Sequence, residues 1–562
     1  MNEVIIVKPE KCLGCNACVR SCPAPEANRT IAIEENRFIT AVDPEKCIAC
    51  GACLSACQHG ARDYIDDTEE AMATLAHEKM IIMVSPAIKT VFPTKWKSIL
   101  DWFRNKGCII YDVSFGADIC TWAHLRVIEH GENTNLISQQ CSAIVNFIEI
   151  YQPKLLSNLS RIHSPVGCSV TYIKNYLRRT EQVAYLSPCI AKKREFDETG
   201  LVEYNITFSK LMEYFDRNDI RIPTDPDPSF KYRFDDQQGL MGGVFSRPGG
   251  LRDNLWMHNP DLHVTTSEGV HKVYPELEMY AKMPETKHPE IFDVLSCEYG
   301  CNIGPGTGSA ESMFDVMTTM HEVERDAKSR RKTTGGVFRD TEDKQFKRFD
   351  EELRLADFIR SYKPSKPTSL PGESDLNPIF ELMGMHSEDD RHYDCGACGH
   401  KTCKGMAVAI YRGLNTPNNC LIHAKSVLLS RHSELTQQHE KLSGVAQDCL
   451  ELSERLSKAL DEITENMKAI GENTNATSER AGVVSDLLKN VVAFCNSKST
   501  MDSDSVRQLV GILETTIDAF GALDDHVSAT NESSNVIKSS VGEIQKLVGS
   551  INETLKDAQK KK

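Results

Sequence analysis

The chain has no apolar run close to the roughly 20 residues that a membrane-crossing helix needs, so no membrane partner is expected. Positive charge is also scarce: 65 Lys and Arg stand against 80 Asp and Glu, a formal net charge of −15. Nucleic acid requires a concentrated basic face. The one short basic run, 328–332, reads as a solvated loop, so no nucleic-acid partner is expected either. The opening MNEVIIVKPEKC lacks the basic and apolar parts of a signal peptide, and the expected location is cytoplasmic. Beyond residue 425 there is no proline and no tryptophan, which removes the strongest helix breaker from the rest of the chain.

What is abundant is cysteine, 21 residues in all. In a small secreted chain they would read as disulfides, but a chain of this length without a leader argues otherwise. Most fall in clusters with two-residue gaps, a spacing that suits metal better than crosslinks. Residues 1–65 hold two similar units, Cys12-x2-Cys15-x2-Cys18-x3-Cys22 and Cys47-x2-Cys50-x2-Cys53-x3-Cys57. A cubane iron–sulfur cluster takes four thiolates, and a C-x2-C-x2-C loop brings three of them to one corner. The pattern resembles two-cluster ferredoxins, in which the fourth ligand comes from the other motif. That resemblance implies one 4Fe–4S cluster on Cys12, Cys15, Cys18 and Cys57, and another on Cys47, Cys50, Cys53 and Cys22. Cys395-x2-Cys398-x4-Cys403-x16-Cys420 forms a further group. Its opening CGACGHKTC resembles a small four-cysteine iron–sulfur domain. A third 4Fe–4S cluster is the leading reading, with zinc the second choice for four thiolates.

At 562 residues the chain should divide into several domains. Between 78 and 360, apolar runs such as MIIMVSPAI alternate with helical patterns such as KWKSILDWFRNKG, the rhythm of an α/β core with largely parallel strands. The Pro-, Ser- and Gly-rich stretch from Pro364 reads as a linker. From 425 onward, apolar or small residues recur every seven positions: Leu435, Leu442, Cys449, Leu456, Ile463 and Ile470, then Val484 and Val491. A second series runs through Val506, Leu513, Phe520, Val527, Val541, Val548 and Leu555, with a turn expected over 496–505. Two long helices folding back as an antiparallel coiled-coil hairpin follow from this pattern, with a homodimer through the coiled coil as the expected assembly.

Four central cysteines have distinctive neighbourhoods: SQQCSAIV around Cys141, SPCIAKKRE around Cys189, and LSCEYGCNIGPG with Cys297 and Cys301. Taken alone, only the last pair is close enough to share a metal. Together with FGAD (115–118), IYQPKLLSNLS and the turn Phe245–Gly250, these words resemble the catalytic domain of the FeFe (iron-only) hydrogenases over roughly residues 80–360. The resemblance implies that Cys141, Cys189, Cys297 and Cys301 hold the cube of an H-cluster, with Cys301 bridging to a diiron subcluster that carries CO and CN ligands. It implies that Lys192 hydrogen-bonds a cyanide, in a segment that keeps Glu195, and that Pro86, Ala87 and Phe245 pack against the cofactor. The implied partners are H2 and protons, a ferredoxin-type electron carrier and diiron-cluster maturation proteins.

The sequence departs from that family along the proton path. The position before the first ligand, a cysteine in standard members, is Gln140, whose amide cannot exchange protons at ordinary pH. The next stations correspond to His124, Ser160 and Val127, and the two methionines that pack on the diiron unit correspond to Ser187 and Leu295. Cys168 reads as an ordinary core cysteine. An altered relay beside a complete ligand set implies slow turnover. With the extra cysteine group and helical tail, it resembles the sensory class of these enzymes, passing a redox signal to a signalling partner. An ordinary ferredoxin-dependent hydrogenase and a non-catalytic Fe–S protein without the diiron unit remain open.

The expected architecture is multidomain α/β: a two-cluster ferredoxin-like domain over 1–70, an H-cluster domain with largely parallel sheets over 78–362, and a linker over 363–385. A four-cysteine 4Fe–4S domain over 386–424 and the coiled-coil hairpin over 425–562 complete it.

Overall fold

The computed structural model describes residues 3–34, 37–131, 135–225, 232–308, 312–333, 340–365, 371–497 and 503–560. The chain divides into two compact units, Met1–Ser426 and Val427–Lys562.

In the first unit, the N-terminal cysteine segment carries two small antiparallel pairs. Strand β1 (Ile5–Val7) pairs with β4 (Arg62–Tyr64), and β2 (Asn28–Glu34) pairs with β3 (Arg37–Val42). The central region is built on two parallel sheets. One has four strands in the order β6 (Ile109–Asp112), β5 (Met80–Val84), β8 (Gln182–Ser187), β9 (Tyr204–Thr207). The other has the order β10 (Val264–Glu268), β11 (Ile291–Leu295), β7 (Leu136–Ile137). Every residue of β5 and β11 is buried, which explains why both read as near-continuous apolar runs.

The helices that flank the sheets start where local chemistry dictates. The Asp112 side chain accepts from the Ser114 amide at 2.9 Å and caps the helix Val113–Glu129. Ser164 caps Pro165–Asn175, with proline in the first helical position, where its missing N–H costs nothing. These two helices pack closely at Gly116, where an added Cβ would lie 2.0 Å from Ser169 Oγ and 2.3 Å from the Pro165 carbonyl.

Two sequence expectations are corrected in this unit. The presumed linker 363–385 contains the helix Glu373–Leu382, and its Leu376, Phe380, Met383 and Met385 pack with Cys398, Cys403 and Cys420. Pro378 and the nearby Ser and Gly masked an apolar series spaced by three and four, which is the stronger signal. Residues 328–332 lie in the helix Met313–Thr333 rather than in a loop, and Lys328 there pairs with Glu324 at 2.6 Å.

The second unit is formed by the helices Leu421–Ser497 (from Val427 on) and Ser503–Lys560. They run side by side, with Asp461 bonded to Gln545 and Ser478 to Asp524. The turn expected between them lies largely outside the described residues. The buried positions are Ser453, Leu460, Met467 and Ala481 on the first helix and Val527, Ser534, Val541 and Val548 on the second. The second helix thus buries the middle of the expected series, while Val506, Leu513, Phe520 and Leu555 are half-buried. The first does not: its seam is offset by four residues, and Leu435 to Ile470 remain exposed. The buried register runs Ser453, Leu460, Met467, Thr474 and Ala481, and the sequence pattern was read from the more apolar register four residues earlier.

Candidate metal centre

All four central cysteines leave the C-terminal ends of parallel strands. Gln139, Gln140 and Cys141 follow β7, Cys189 follows β8, Cys297 and Cys301 follow β11, and Pro86 follows β5. Open parallel sheets bind ligands at such ends, where the loops diverge. Here they enclose a cavity of about 80 Å³ lined by Cys141, Cys189, Cys297 and Cys301 together with Pro86, Gln140, Lys192, Phe245 and Leu295. The loops are held by backbone contacts that only their glycines permit. Gly300 has φ +70°, and a Cβ there would meet the Ser246 carbonyl oxygen at 2.3 Å. Asp118, from FGAD, accepts from the Leu240 and Gly242 amides at 2.7 Å each and so fixes the segment that leads to Phe245.

Burial, reinforced by the neighbouring thiols, pushes the Cys189 thiol up to about 11 and the Cys301 thiol up to about 12. It also raises Cys297 well above the ordinary thiol value. Thiols raised in this way ionise together only when bound cations replace their protons, as iron does in a cluster. Lys192 supplies a fixed cation in the cavity wall. Its Nζ donates to Glu195 Oε2 at 2.6 Å and to the Gln140 carbonyl at 3.4 Å, leaving one of its three protons for the cavity. Glu195 also accepts from Ser142 at 2.5 Å and from Ser164. Burial alone would raise its carboxyl, but Lys192 and Arg360 outweigh that and hold it at about 2. Gln140 Oε1 is buried without a hydrogen-bond partner. An apolar wall, four thiols, one spare cationic donor and an orphaned amide oxygen fit an anionic iron–sulfur group with small polar ligands.

Not every expected residue joins this wall. Ala87 is buried in the apolar cluster with Ile88, Val91 and Leu186, while its neighbour Pro86 lines the cavity. His124 and Ser160 do bond to each other, Nε2 to Oγ at 3.0 Å. Gln140, however, turns away from them and donates from Nε2 to Asp293 Oδ1 at 2.6 Å. The residue that reaches the histidine group is Gln139, whose Nε2 lies 3.7 Å from Cys120 Sγ and 3.2 Å from the His163 carbonyl. The chain bends at Gln140, and the two adjacent glutamine side chains reach different partners. Val127 packs half-buried on the hydrophobic core. Ser187 bonds to the Cys189 backbone at 3.0 and 3.1 Å, whereas Leu295 lines the cavity.

Three polar residues here had escaped the sequence reading. Asp293 is a lone acid in the buried strand IFDVL, a signal that was available. Its carboxyl is pushed up by burial, against hydrogen bonds from the Arg252 amide and Gln140. Cys120 and Gln139 carried no such signal. The Cys120 thiol is buried, which acts upward, but a hydrogen bond from the Cys168 thiol and the charge of His124 bring it down to about 5. His124 is raised in turn by Cys120, against its own burial.

The cysteines of the other motifs also lie in groups. Cys12, Cys15, Cys18 and Cys57 line one small cavity with Thr40 and Arg62, and Arg62 Nη2 lies 3.1 Å from Cys18 Sγ. Burial pushes Cys22 and Cys53 up to about 12, each raised further by Cys47. Cys47, Cys50 and Cys53 pack with Cys141 and Cys189 around Ile190 and Ala191, and Cys22 packs with Cys50 and Cys141 in a second cluster around Ile48 and Ile137. Cys398, Cys403 and Cys420 pack together, and burial, with Cys420 and Cys395 beside it, raises Cys398. The 395–420 segment rests against the first N-terminal loop. Arg20 Nη1 donates to the carbonyls of both Cys15 and Ala397 at 3.2 Å, Asn16 bonds Asn419 at 2.9 Å, and Arg412 pairs with Glu26 at 2.5 Å.

Three family models match the chain: the C-terminal domain of the iron-only hydrogenase large subunit over 78–305, a 4Fe-4S dicluster domain over 4–58, and an Fe-S cluster domain over 392–422. Similar solved structures include an FeFe-hydrogenase studied for oxygen inactivation at its H cluster, 15% identical, covering 54% of this chain and 100% of that chain with TM-score 0.39. One from a study of stepwise H-cluster assembly has the same values. An FeFe-hydrogenase from Chlamydomonas reinhardtii is 15% identical over the same shares, with TM-score 0.38. No helix among the described residues is long and apolar enough to cross a membrane.

Proposed function

We propose, from the match of residues 78–305 to the iron-only hydrogenase large-subunit model, that the chain binds and slowly turns over H2 at an H-cluster and passes a redox signal toward a helical output. Cys141, Cys189, Cys297 and Cys301 are the residues that would hold the cofactor's cube, with Cys301 shared by the diiron unit. The cofactor, when bound, supplies the interconversion of H2 with two protons and two electrons. Lys192, locked by Glu195, offers its remaining proton to an anionic ligand. Pro86, Phe245 and Leu295 exclude water from the wall.

The observation that carries the slow, sensory reading is the side chain at Gln140. It lines the cavity beside the four thiols, yet an amide neither releases nor captures a proton at ordinary pH, and general acid–base groups are typically worth about 10²–10⁴-fold. The cysteine groups at 12–57 and 395–420 would hold three further 4Fe–4S clusters. The last of these lies one residue before the long helix that begins at Leu421, and a coiled-coil hairpin beyond it would be the output. A ferredoxin-type carrier and diiron maturation proteins are the partners this requires, in the cytoplasm.

A second reading has its own observation. Asp293, buried and 2.6 Å from Gln140, is titratable and would support ordinary turnover by a different route. Rates of H2 uptake on maturated protein separate the two. Under the first reading the wild type is slow and Gln140→Cys raises the rate. A fast wild type that Asp293→Asn slows would support the second and refute the first. Iron content of about 18 per chain is the accompanying check on four cubes and a diiron unit.

A further inference from the structure

Each helix of the C-terminal unit carries two heptad stripes, and only one is used within the chain. The internal seam is Leu460 and Met467 against Val541, Val548 and Ser534, whose Oγ reaches the Met467 carbonyl at 3.3 Å. The second stripe on the first helix is Leu435, Leu442, Cys449, Leu456, Ile463 and Ile470, continuing back to Leu428. Its large members are 41% (Ile470) to 69% (Leu442) exposed. On the second helix Ile537, Ile544 and Ile551 repeat the pattern at 41–52% exposure. Seven-residue spacing on both helices means that these side chains flank the seam already formed, so the uncovered surface is continuous with it.

We infer that a second copy of this chain covers that surface, pairing stripe to stripe so that two helix pairs close into a four-helix bundle. A strict seven-residue repeat drifts by about 20° per heptad on a straight helix. It stays in contact only with another helix that supercoils left-handedly around it. The covering partner must therefore be a helix that keeps the same repeat for as many turns, on the order of 50–60 Å at 1.5 Å per residue. The chain's own first helix meets that requirement. Self-pairing is also the commonest closed symmetry, in which each residue near the axis meets its counterpart. A continuous exposed apolar stripe of this length is otherwise rare on a monomer. The inference rests on the helices alone and holds whatever the first unit binds.

Cys449 makes the test direct. It is exposed and is the central member of the series from Leu428 to Ile470, so a two-fold pairing of stripe with stripe brings it beside its counterpart whether the helices run parallel or antiparallel. The full chain should sediment at twice 62.9 kDa at micromolar concentration. A short bis-maleimide, applied anaerobically, should join two chains by thioethers, giving a doubled band on a denaturing gel that Cys449→Ser abolishes. Leu456→Lys with Ile463→Lys should yield the monomer mass while helical circular dichroism is retained, because neither residue is in the internal seam. A wild-type monomer, a dimer that these substitutions leave intact, or a doubled band that survives Cys449→Ser would each overturn the inference.

Discussion

Replacing Lys192 by methionine removes the cation from a buried ion pair and leaves its partner in place. Glu195 is 4% exposed and is held at about 2 against an ordinary value of 4.5, since the nearby cations outweigh the effect of burial. At ~1.36 kcal/mol per pH unit, that difference corresponds to about 3 kcal/mol in favour of the folded, ionised form. A depressed carboxyl contributes stability that is complete above its unfolded value and lost as pH falls toward the folded one. Lys192→Met should therefore cost about 3–5 kcal/mol at neutral pH, the usual range for stranding a buried charge. Arg360, which also lowers Glu195, argues for the lower end. Lys192→Met combined with Glu195→Gln should recover most of the loss. All four tryptophans, Trp96, Trp102, Trp122 and Trp256, lie in the central region. Urea unfolding followed by tryptophan fluorescence therefore reads this part of the chain. The gap between wild type and Glu195→Gln should close as pH drops from about 4.5 toward 2. A loss below about 1 kcal/mol for Lys192→Met, or a double substitution as unstable as the single one, would refute this account of the pair.

Other perturbations test other parts. Gly300→Ala forces a Cβ against the Ser246 carbonyl, 2.3 Å away in the present backbone, and should leave the central site short of iron while the 12–57 and 395–420 groups load normally, read by site-resolved Mössbauer spectroscopy. Asp293→Asn removes a carboxyl that burial has raised. The folded state binds that proton more readily, so stability falls as pH rises from the unfolded value through the raised one, and the variant should lose this dependence in urea titrations. Arg412→Glu breaks the pair with Glu26 and should expose the 395–420 segment to faster hydrogen exchange, with Glu26→Arg restoring protection.

Much of this organisation was legible in the sequence because cysteine spacing is a strong local signal and the parallel core has a simple rhythm. MIIMV and IIYD became buried strands, and the four central cysteines converged on one cavity. What stayed hidden depended on direction rather than identity. Gln139 and Gln140 differ by one position at a bend after β7, and only the backbone decides which faces Asp293 and which faces Cys120. The first long helix offered two apolar registers, and the less apolar one, through Ser453 and Ala481, forms the internal seam. The helix Glu373–Leu382 was obscured by a proline within it, although Leu376 and Phe380 already marked its buried face.

The central claim is that the cavity between Cys141, Cys189, Cys297 and Cys301 takes an H-cluster. Anaerobic infrared spectroscopy of the maturated protein tests it most directly. Sharp bands from iron-bound CO and CN should appear and shift when H2 is admitted, and Lys192→Met should displace the cyanide bands more than the others. A loaded protein with its full complement of cubes and no CO or CN bands would contradict it.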